Sequence, residues 1–428
     1  VASADSPSTL RRVRYLRVSL RGLVTAIAGV ACAAAGYAWG RPELVVAGAF
    51  AVLLALGGLA VGWLRRPTLE VVRLFSPPVV AVASPCHVTL RVRNSGMVTT
   101  PTFLWNDAIP WHEVQTPQEL APLPSRPASR RVGTIEYVAH PPRRGVFTVG
   151  PLVLESGDPF GMVRVHEAVG SADRLTVVPA VTPLAAGGPV LIDGDGSAQL
   201  VQRRVVGSDD DLSTREYRRG DALRRVHWRA SARHGELMVR QEEHRSHPDA
   251  RIIIDTRASG HPDAEPDLIT EPPGLLSESF EWSVRMLASL AVHLDEVGFR
   301  VGVAESAPQQ VAPVGEPWEG GQRFEAFLTS LASIRLQSAD APLPPLDADA
   351  VGPTFAVLAD ADDEVIDWVL RQRRPGQAGA VFVLGLRLSA RERFVDAGWT
   401  CIDAMTDDDI GDVWRSATNG AGVAHGAR

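Results

Sequence analysis

Two uncharged apolar runs, Gly22–Trp39 and Leu44–Leu64, dominate the start of the chain, with the Arg41-Pro42-Glu43 break between them. Each is close to the ~20 apolar residues that cross a ~30 Å hydrocarbon core. Backbone polar groups must be satisfied inside lipid, so the pair predicts a transmembrane helical hairpin over 22–64. Arg11, Arg12, Arg14, Arg17 and Arg21 precede the first run and Arg65, Arg66 and Arg73 follow the second, whereas the connecting loop holds only Arg41. By the positive-inside rule this places a basic N-terminus (1–21), the C-terminus and the soluble domains in the cytoplasm, in a multi-pass protein of the cell membrane. A cleaved signal peptide shares the charged start and apolar middle, with Ala33–Ala35 as a small-residue site. The second apolar run so close behind argues against it, and Gly29 stands where a lipoprotein site at Cys32 wants a large aliphatic residue.

After Thr68 the period changes from helical to alternating. Val88, Leu90 and Val92 alternate with Thr89, Arg91 and Arg93 before the turn Asn94-Ser95-Gly96, and similar short runs recur at Val146–Thr148, Pro151–Glu155, Met162–His166 and Leu175–Val178. Short strands punctuated by turn residues predict an antiparallel β-sandwich, immunoglobulin-like in style, over 68–180. Prolines 110, 117, 122, 124 and 127 mark a long loop within it, and no catalytic cluster falls there. A linker over 181–212 ends in Asp209-Asp210-Asp211, which reads either as a solvated acidic turn or as an internal partner for the arginines that follow.

From residue 248 to 416 the rhythm is strand, helix, strand. Phe280, Val284, Leu287, Ala291 and Leu294 fall on one helix face. Strands are predicted at Ile252–Asp255, Phe299–Ala304, Phe355–Ala359, Ala380–Leu384 and Trp399–Ile402. Helices are predicted at Phe324–Ile334, Glu364–Arg373 and near Asp408–Trp414, and Gln309–Val314 is an antiparallel edge partner. Such alternation calls for a mostly parallel sheet covered by helices on both faces, followed by a flexible Gly/Ala-rich tail over 417–428. The fold class is therefore multi-domain: a helical hairpin, an antiparallel β-sandwich and an α/β domain.

Ligands of such sheets bind at the carboxyl ends of strands, and two predicted strand ends carry acids, Asp255 and Asp360. The layout resembles the von Willebrand factor A fold, whose metal site uses an Asp-x-Ser-x-Ser loop after the first strand. Here the loop is Asp255-Thr256-Arg257-Ala258-Ser259, with arginine in place of the first serine. A guanidinium can neutralise Asp255 and fill the space of a hydrated cation, whereas Mg²⁺ needs oxygen ligands near ~2.1 Å. The expectation is no cofactor and a degenerate site of Asp255, Ser259 and Asp360, with Mg²⁺ as the ion to test.

The net charge of −7 argues against a polyanion binder as a whole, and three distant cysteines, Cys32, Cys86 and Cys401, give neither a disulfide framework nor a metal signature. Against that background the segment 213–247 stands out, with nine arginines in Arg215–Arg245. Asp221 suits a helix N-cap and Gly235 a helix end, so the segment reads as strand, turn, short helix, strand. Asp221, His227 and Ser231 have the residue types of a hydrolytic triad, but drawn from one short helix they would point outward rather than converge. His227, His234, His244 and His247 lack zinc-site spacing. A phosphate or nucleic-acid patch fits the arginines and Trp228, and the interleaved acids Glu216, Asp221, Glu236, Glu242 and Glu243 oppose it, so no nucleic acid is expected. The same acids can pair with the arginines and make the segment a structural latch; a protein-binding role stands beside that.

The run Arg215-Glu216-Tyr217, Gly220-Asp221, Arg224, His227-Trp228, Ser231 and Arg233 resembles the signature of domain-of-unknown-function family 58, as does the upstream Gly157-Asp158-Pro159-Phe160-Gly161. The resemblance covers about residues 15–416, in the order hairpin, β region, signature, von Willebrand A-like domain. It implies association with a MoxR-type AAA+ ATPase and with membrane transglutaminase-like proteins. The expected function is a non-enzymatic membrane-anchored adaptor or assembly factor in a chaperone-like system. A membrane-associated hydrolase of peptide or cell-envelope material, using Asp221, His227 or Asp255, is the alternative, and polyanion binding a further one.

Overall fold

The computed structural model describes residues 14–111, 118–125, 132–186, 214–216, 231–233, 235, 236, 238–240, 248–267, 269, 274–311, 321–346 and 352–424. The chain divides into two compact units, Val1–Val178 with Asp267–Pro273, and Pro179–Pro266 with Gly274–Arg428.

The first unit starts with a strand that the sequence did not announce. β1 (Arg14–Val18) lies within the basic stretch read as a plain N-terminal extension, and the chain then enters helix α1 (Leu20–Ala38) and helix α2 (Pro42–Leu64). Both helices are long and apolar enough to cross a membrane. Ser19 caps α1 by accepting from the Gly22 amide, and Pro42 opens α2, where its missing N–H costs nothing. The helices meet through small residues. A Cβ on Gly48 would collide with the Gly29 carbonyl, and one on Gly36 would lie 2.7 Å from Leu44 and Val45. Close backbone approach of this kind lets helices pack where lipid offers no hydrophobic drive.

Nine further strands complete the sheets of this unit: β2 (Leu69–Ser76), β3 (Val79–Ala81), β4 (Cys86–Asn94), β5 (Phe103–Asp107), β6 (Gln118–Leu120), β7 (Val132–Ala139), β8 (Gly145–Val149), β9 (Leu152–Gly157) and β10 (Val163–Val169), with β11 (Asp173–Val178) closing it as a tenth. They form a five-stranded sheet in the order β1-β10-β9-β5-β6 and three-stranded sheets β2-β4-β7 and β3-β11-β8. Every pairing is antiparallel except β3 with β11. Leu69, Leu90, Val92 and Ile135 of one sheet pack on Phe103, Trp105, Leu152 and Leu154 of another. At the edge of this core Arg73 donates to both Asp107 oxygens at 3.1 and 2.6 Å and to Asp173 at 2.6 Å, and the Tyr137 hydroxyl donates to Asp107 at 2.5 Å. Gly150, at φ +102°, leaves room for that guanidinium, since a Cβ there would sit 2.5 Å from it.

β1 pairs with β10, so the segments on both sides of the hairpin, β1 and β2, belong to the same β unit. Ala55 of α2 packs with Met162, Val163 and Val165. Gly58 and Gly62 make the approach possible, with Asp158 and Val165 just beyond where their side chains would be.

In the second unit, β12 (Thr214–Glu216) pairs antiparallel with β13 (Met238–Arg240). The main sheet is wholly parallel. β14 (Asp249–Ile254) leads through short strands β15 (Glu265–Asp267) and β16 (Gly274–Leu276) into α3 (Glu278–Val297) and β17 (Arg300–Glu305). Then come α4 (Gly321–Ser333), β18 (Thr354–Leu358), α5 (Asp363–Arg371), β19 (Gly379–Val383), α6 (Leu388–Asp396), β20 (Thr400–Asp403) and α7 (Ile410–Ala424). The strand order is β17-β14-β18-β19-β20. One face of the sheet is filled by Trp282, Leu287, Phe355, Phe382 and Trp414, the other by Ile253, Val365, Trp368, Val381 and Phe394. Strands buried on both faces read as continuous apolar runs, as Ile252–Ile254 and Phe355–Leu358 do.

Three expectations change. No strand forms over the described part of Gln309–Val314, because the Gln310 and Val311 amides turn back to donate to Glu305 at 2.7 and 2.8 Å. α6 was not read from the sequence, and α7 continues to Ala424 through part of the tail expected to be flexible.

Candidate functional site

The chain runs from β14 to β17 on one side, then crosses to β18 on the other. This makes the carboxyl ends of β14 and β18 a topological switch point, where crevices form in open parallel sheets. Asp255 follows β14, Ser306 follows β17, and Asp360 lies two residues past β18. Asp255 and Asp360 therefore lie just past the ends of neighbouring strands.

Asp255 is buried. Its Oδ1 accepts from the Ser306 hydroxyl at 2.5 Å and from the Arg257 amide at 3.1 Å, while Oδ2 has no hydrogen-bond partner among the described residues. Burial pushes this carboxyl up, against the pull of Ser306, His261 and the Arg257 amide. A Cβ on Gly260 would collide with Oδ2, so the turn of 3-10 helix Ala258–Gly260 closes over the acid and leaves no room for a side chain there. Ser306 is fully engaged as well, since its oxygen accepts from the Thr256 amide at 2.9 Å.

The guanidinium of Arg257 does not do what the sequence suggested. It turns away from Asp255, donating to the Ala339 carbonyl and to Glu364 at 2.9 Å each, and lies 3.9 Å from Asp362. Only its backbone amide serves Asp255. Asp362 caps α5 by accepting from the Val365 amide at 2.9 Å, and its other oxygen accepts from Ser259 at 3.2 Å. Asp360 sits within 3.8 Å of Arg387, and its amide donates to the Gly260 carbonyl at 3.0 Å. Two carboxylate oxygens at the strand ends, Asp255 Oδ2 and Asp360 Oδ1, have no hydrogen-bond partner among the described residues, but the serine donors are missing or engaged. Ser259 serves Asp362, arginine holds the first-serine position, and no group of three or more His, Cys, Asp or Glu gathers among the described residues. With arginine in place of the first serine, this set departs from the all-oxygen ligands that Mg²⁺ takes.

Behind the crevice lies a constellation that sequence reasoning missed. His261 Nδ1 is 2.8 Å from the Ser279 hydroxyl and its Nε2 is 3.2 Å from the Asp255 carbonyl. Asp263 accepts from the Ser277 and Ser279 hydroxyls at 2.8 and 2.6 Å and from the Ser279 amide at 2.9 Å. Burial pushes Asp263 up, but the Ser279 and Ser277 donors outweigh it and hold it below the usual carboxylate range. Serine, histidine and aspartate are all present, yet the serine stands between the other two, whereas a triad needs histidine in the middle. Burial also pushes His261 down. The arrangement ties the loop after β14 to the cap of α3, where Ser277 accepts from the Phe280 amide. The signal was the Ser277-x-Ser279 pair ahead of an apolar helix, legible as a cap but silent about its partners.

Of the arginine signature, Tyr217, Gly220, Asp221, Arg224, His227 and Trp228 lie outside the described residues, as do His234, His244 and His247 of the zinc reading and Asp209–Asp211. Arg215 and Glu216 belong to β12. Ser231 accepts from the Met238 amide at 2.8 Å, which fastens the end of the signature to β13. Arg233 lies in the same helical turn and is exposed.

The second motif, Gly157–Gly161, is explained in the first unit. Asp158 accepts from the Val163 amide at 2.7 Å and the Phe160 amide at 3.0 Å, which folds the loop before β10. The loop offers the Met162 carbonyl to the Ser19 amide at 2.8 Å and the Gly161 carbonyl to the Ser19 hydroxyl at 2.7 Å. It clamps the start of α1.

Among solved structures, the CARDB domain of the PF1109 protein from Pyrococcus furiosus is 15% identical over 26% of this chain and 88% of its own length, with a TM-score of 0.19. A cycloisomaltooligosaccharide glucanotransferase from Paenibacillus sp. is 12% identical over 79% of this chain and 54% of its own, with a TM-score of 0.18. Likeness at that level carries no argument about this fold. No curated protein matches the chain. The family model described as protein of unknown function DUF58 matches residues 213–335, from the arginine signature through β17 and α4, which supports the family resemblance that the signature carries.

Proposed function

We propose that this chain is a non-enzymatic, membrane-anchored adaptor or assembly factor working with a MoxR-type AAA+ ATPase in a chaperone-like system. Its α/β unit is a von Willebrand A-like domain whose strand-end site has become a protein-contact surface. The observation that carries the reading is the commitment of Arg257 to Glu364 and the Ala339 carbonyl, while Asp255 is enclosed behind Gly260. The rim left at the switch point is charged: exposed Glu364 and half-buried Asp362 face Arg257, and exposed Asp363 pairs with exposed Arg387. Such a surface favours polar protein recognition over chemistry on a small substrate.

The hairpin spans the membrane with both ends on the cytoplasmic side, a topology favoured by the flanking arginines and by strands before and after it in one unit. That side is where an ATP-driven partner is available, and a transglutaminase-like membrane protein is a second candidate partner. Co-purification of the full chain from native membranes, with the ATPase trapped in its ATP state, tests the reading. Recovery of an AAA+ ATPase that falls with Glu364→Lys is expected; recovery of none under trapping overturns the proposal.

A further inference from the structure

We propose that the foot of the hairpin holds the headgroup of one aminophospholipid, phosphate on Arg21 and primary ammonium on Glu119. A cavity of about 660 Å³ opens there, lined by Ser19, Leu20 and Arg21 at the start of α1, Leu104 and Glu119 from β5 and β6, and Glu155 and Arg164 from β9 and β10. Its volume falls in the ~300–1,000 Å³ range of small-molecule sites. The inference rests on the membrane reading of the hairpin and is independent of the ATPase partner.

Three observations select the occupant. First, the charges of the lining balance: two guanidiniums, Arg21 and Arg164, face two carboxylates, Glu119 and Glu155. Arg164 and Glu155 lie 3.3 Å apart, and Glu155 also holds His166 at 3.3 Å, so that pair is satisfied internally. Arg21 and Glu119 are exposed, and their side chains form no ion pair or hydrogen bond with another described residue. One free cation and one free anion in a single cavity match a zwitterion carrying a phosphate and an amine.

Second, the cavity continues into an apolar track. Leu20, Leu23, Val24 and Ile27 are 77, 51, 55 and 60% exposed. Their spacing puts them along one side of α1, beginning at the cavity rim. Acyl chains would lie along this track while the headgroup stays in the cavity, and a soluble phosphoamine would leave the track bare. This commits the site to a membrane lipid.

Third, the level is right and the walls are fixed. Headgroups occupy the several ångströms beyond the ~30 Å hydrocarbon core, and the cavity lies at the first turn of the first membrane-length helix. Gly161, which lines it, has its carbonyl held by Ser19, and a Cβ on Gly22 would sit 2.5 Å from the Met162 oxygen, so the helix cannot shift to fill the space. Phe160 of the same loop is 57% exposed, an apolar ring at the place where interfacial aromatics anchor.

Native mass spectrometry of the full chain tests this, using detergent micelles doped with equimolar phosphatidylethanolamine, phosphatidylcholine and phosphatidylglycerol. The wild type is expected to retain one phosphatidylethanolamine in preference to phosphatidylcholine, whose quaternary ammonium has no N–H to donate. Arg21→Ala should lower retention about tenfold, the loss of one charge-assisted contact. Glu119→Gln should abolish the preference between the two zwitterions and leave retention itself. Leu104→Trp, which fills the cavity, should abolish retention; circular dichroism checks that each variant stays folded. Equal retention of all three lipids, selective retention of phosphatidylglycerol, or retention unmoved by Arg21→Ala and Glu119→Gln in folded protein overturns the proposal. So does full competition by free phosphoethanolamine, which would assign the site to a soluble ligand.

Discussion

Arg257 and Glu364, 107 residues apart, meet at 2.9 Å across the switch point of the parallel sheet, while the backbone amide of the same arginine holds Asp255. The two partners do not carry equal weight. Arg257 is buried and also satisfies the Ala339 carbonyl, whereas the Glu364 side chain is 65% exposed. Arg257→Ala should therefore cost about 1–2 kcal/mol, and Glu364→Ala less than about 1 kcal/mol, as for a solvent-screened pair. Urea unfolding of the detergent-solubilised chain measures both. Equal costs would mean that the arginine is held by the ion pair rather than by its buried end.

Magnesium should not bind saturably at this site. Ser259 donates to Asp362, and Asp255 spends one oxygen on Ser306 and the Arg257 amide. Titration calorimetry with Mg²⁺ and Mn²⁺ should give no saturable heat. Saturable binding that Asp255→Ala removes would show an intact cation site.

The pH dependence of stability follows from Asp255. Burial raises its pKa, so the native state binds its proton more tightly than the unfolded chain does. A raised acid contributes stability that is fully present below its unfolded pKa and is lost as pH rises through the folded value. Asp255→Asn should thus gain stability relative to the wild type as pH rises from about 4 toward 7. Burial depresses His261, whose contribution runs the other way, present above its unfolded value and lost as pH falls. Asp255 itself pulls His261 up, so the histidine is depressed further in the asparagine variant, which then loses more on acidification and widens the difference in the same direction. Denaturation curves at two pH values decide it; a wild type that gains on the asparagine variant as pH rises contradicts the assignment.

Periodicity made the parallel unit legible: Phe280, Val284, Leu287, Ala291 and Leu294 announced α3, and apolar triplets announced β14 and β18. α6 was invisible because Leu388–Asp396 buries only Ala390 and Phe394, too few positions to set a period. β1 was hidden for another reason. Its arginines read as a topology signal, yet Arg14 donates to the carbonyls of Gly62 at 2.5 Å and Arg65 at 2.9 Å, at the end of α2. The acids of the switch point could be found because strand ends are predictable. The direction of the Arg257 guanidinium could not, because its partners, Ala339 in the connection before β18 and Glu364 in the first turn of α5, are brought together only by the whole sheet.

In the first unit, Asp107 should be the most sensitive polar position. It accepts from Arg73 twice and from Tyr137 once, and its side chain and that of Arg73 are almost wholly buried. Removing one partner of a buried pair leaves the other charge uncompensated, which costs about 3–5 kcal/mol. Asp107→Ala should lose that much in thermal or urea unfolding, although Asp173 keeps a contact with Arg73. Tyr137 is pushed far up by burial and by the Asp107 charge, so alkaline difference spectra of the native protein should show its phenol ionising only on unfolding.

The coupling between hairpin and β sheet is testable with two glycines from the same hairpin. At Gly22 a Cβ would fall 2.5 Å from the Met162 carbonyl oxygen, a backbone atom already fixed by the Ser19 amide and hence unable to give way. At Gly57 nothing lies within 4 Å. Gly22→Ala should therefore force α1 off the β10 loop at a cost of about 1–3 kcal/mol, the usual range for overpacking. Gly57→Ala should be neutral, or stabilising by up to about 1 kcal/mol, because alanine is the better helix former. Thermal melts of the two detergent-solubilised variants, read beside protease sensitivity in the Gly157–Gly161 loop, separate a local clash from a general helix effect. If both melt alike, α1 is not clamped to the loop, and the Asp158 motif needs another explanation than holding the hairpin to its sheet.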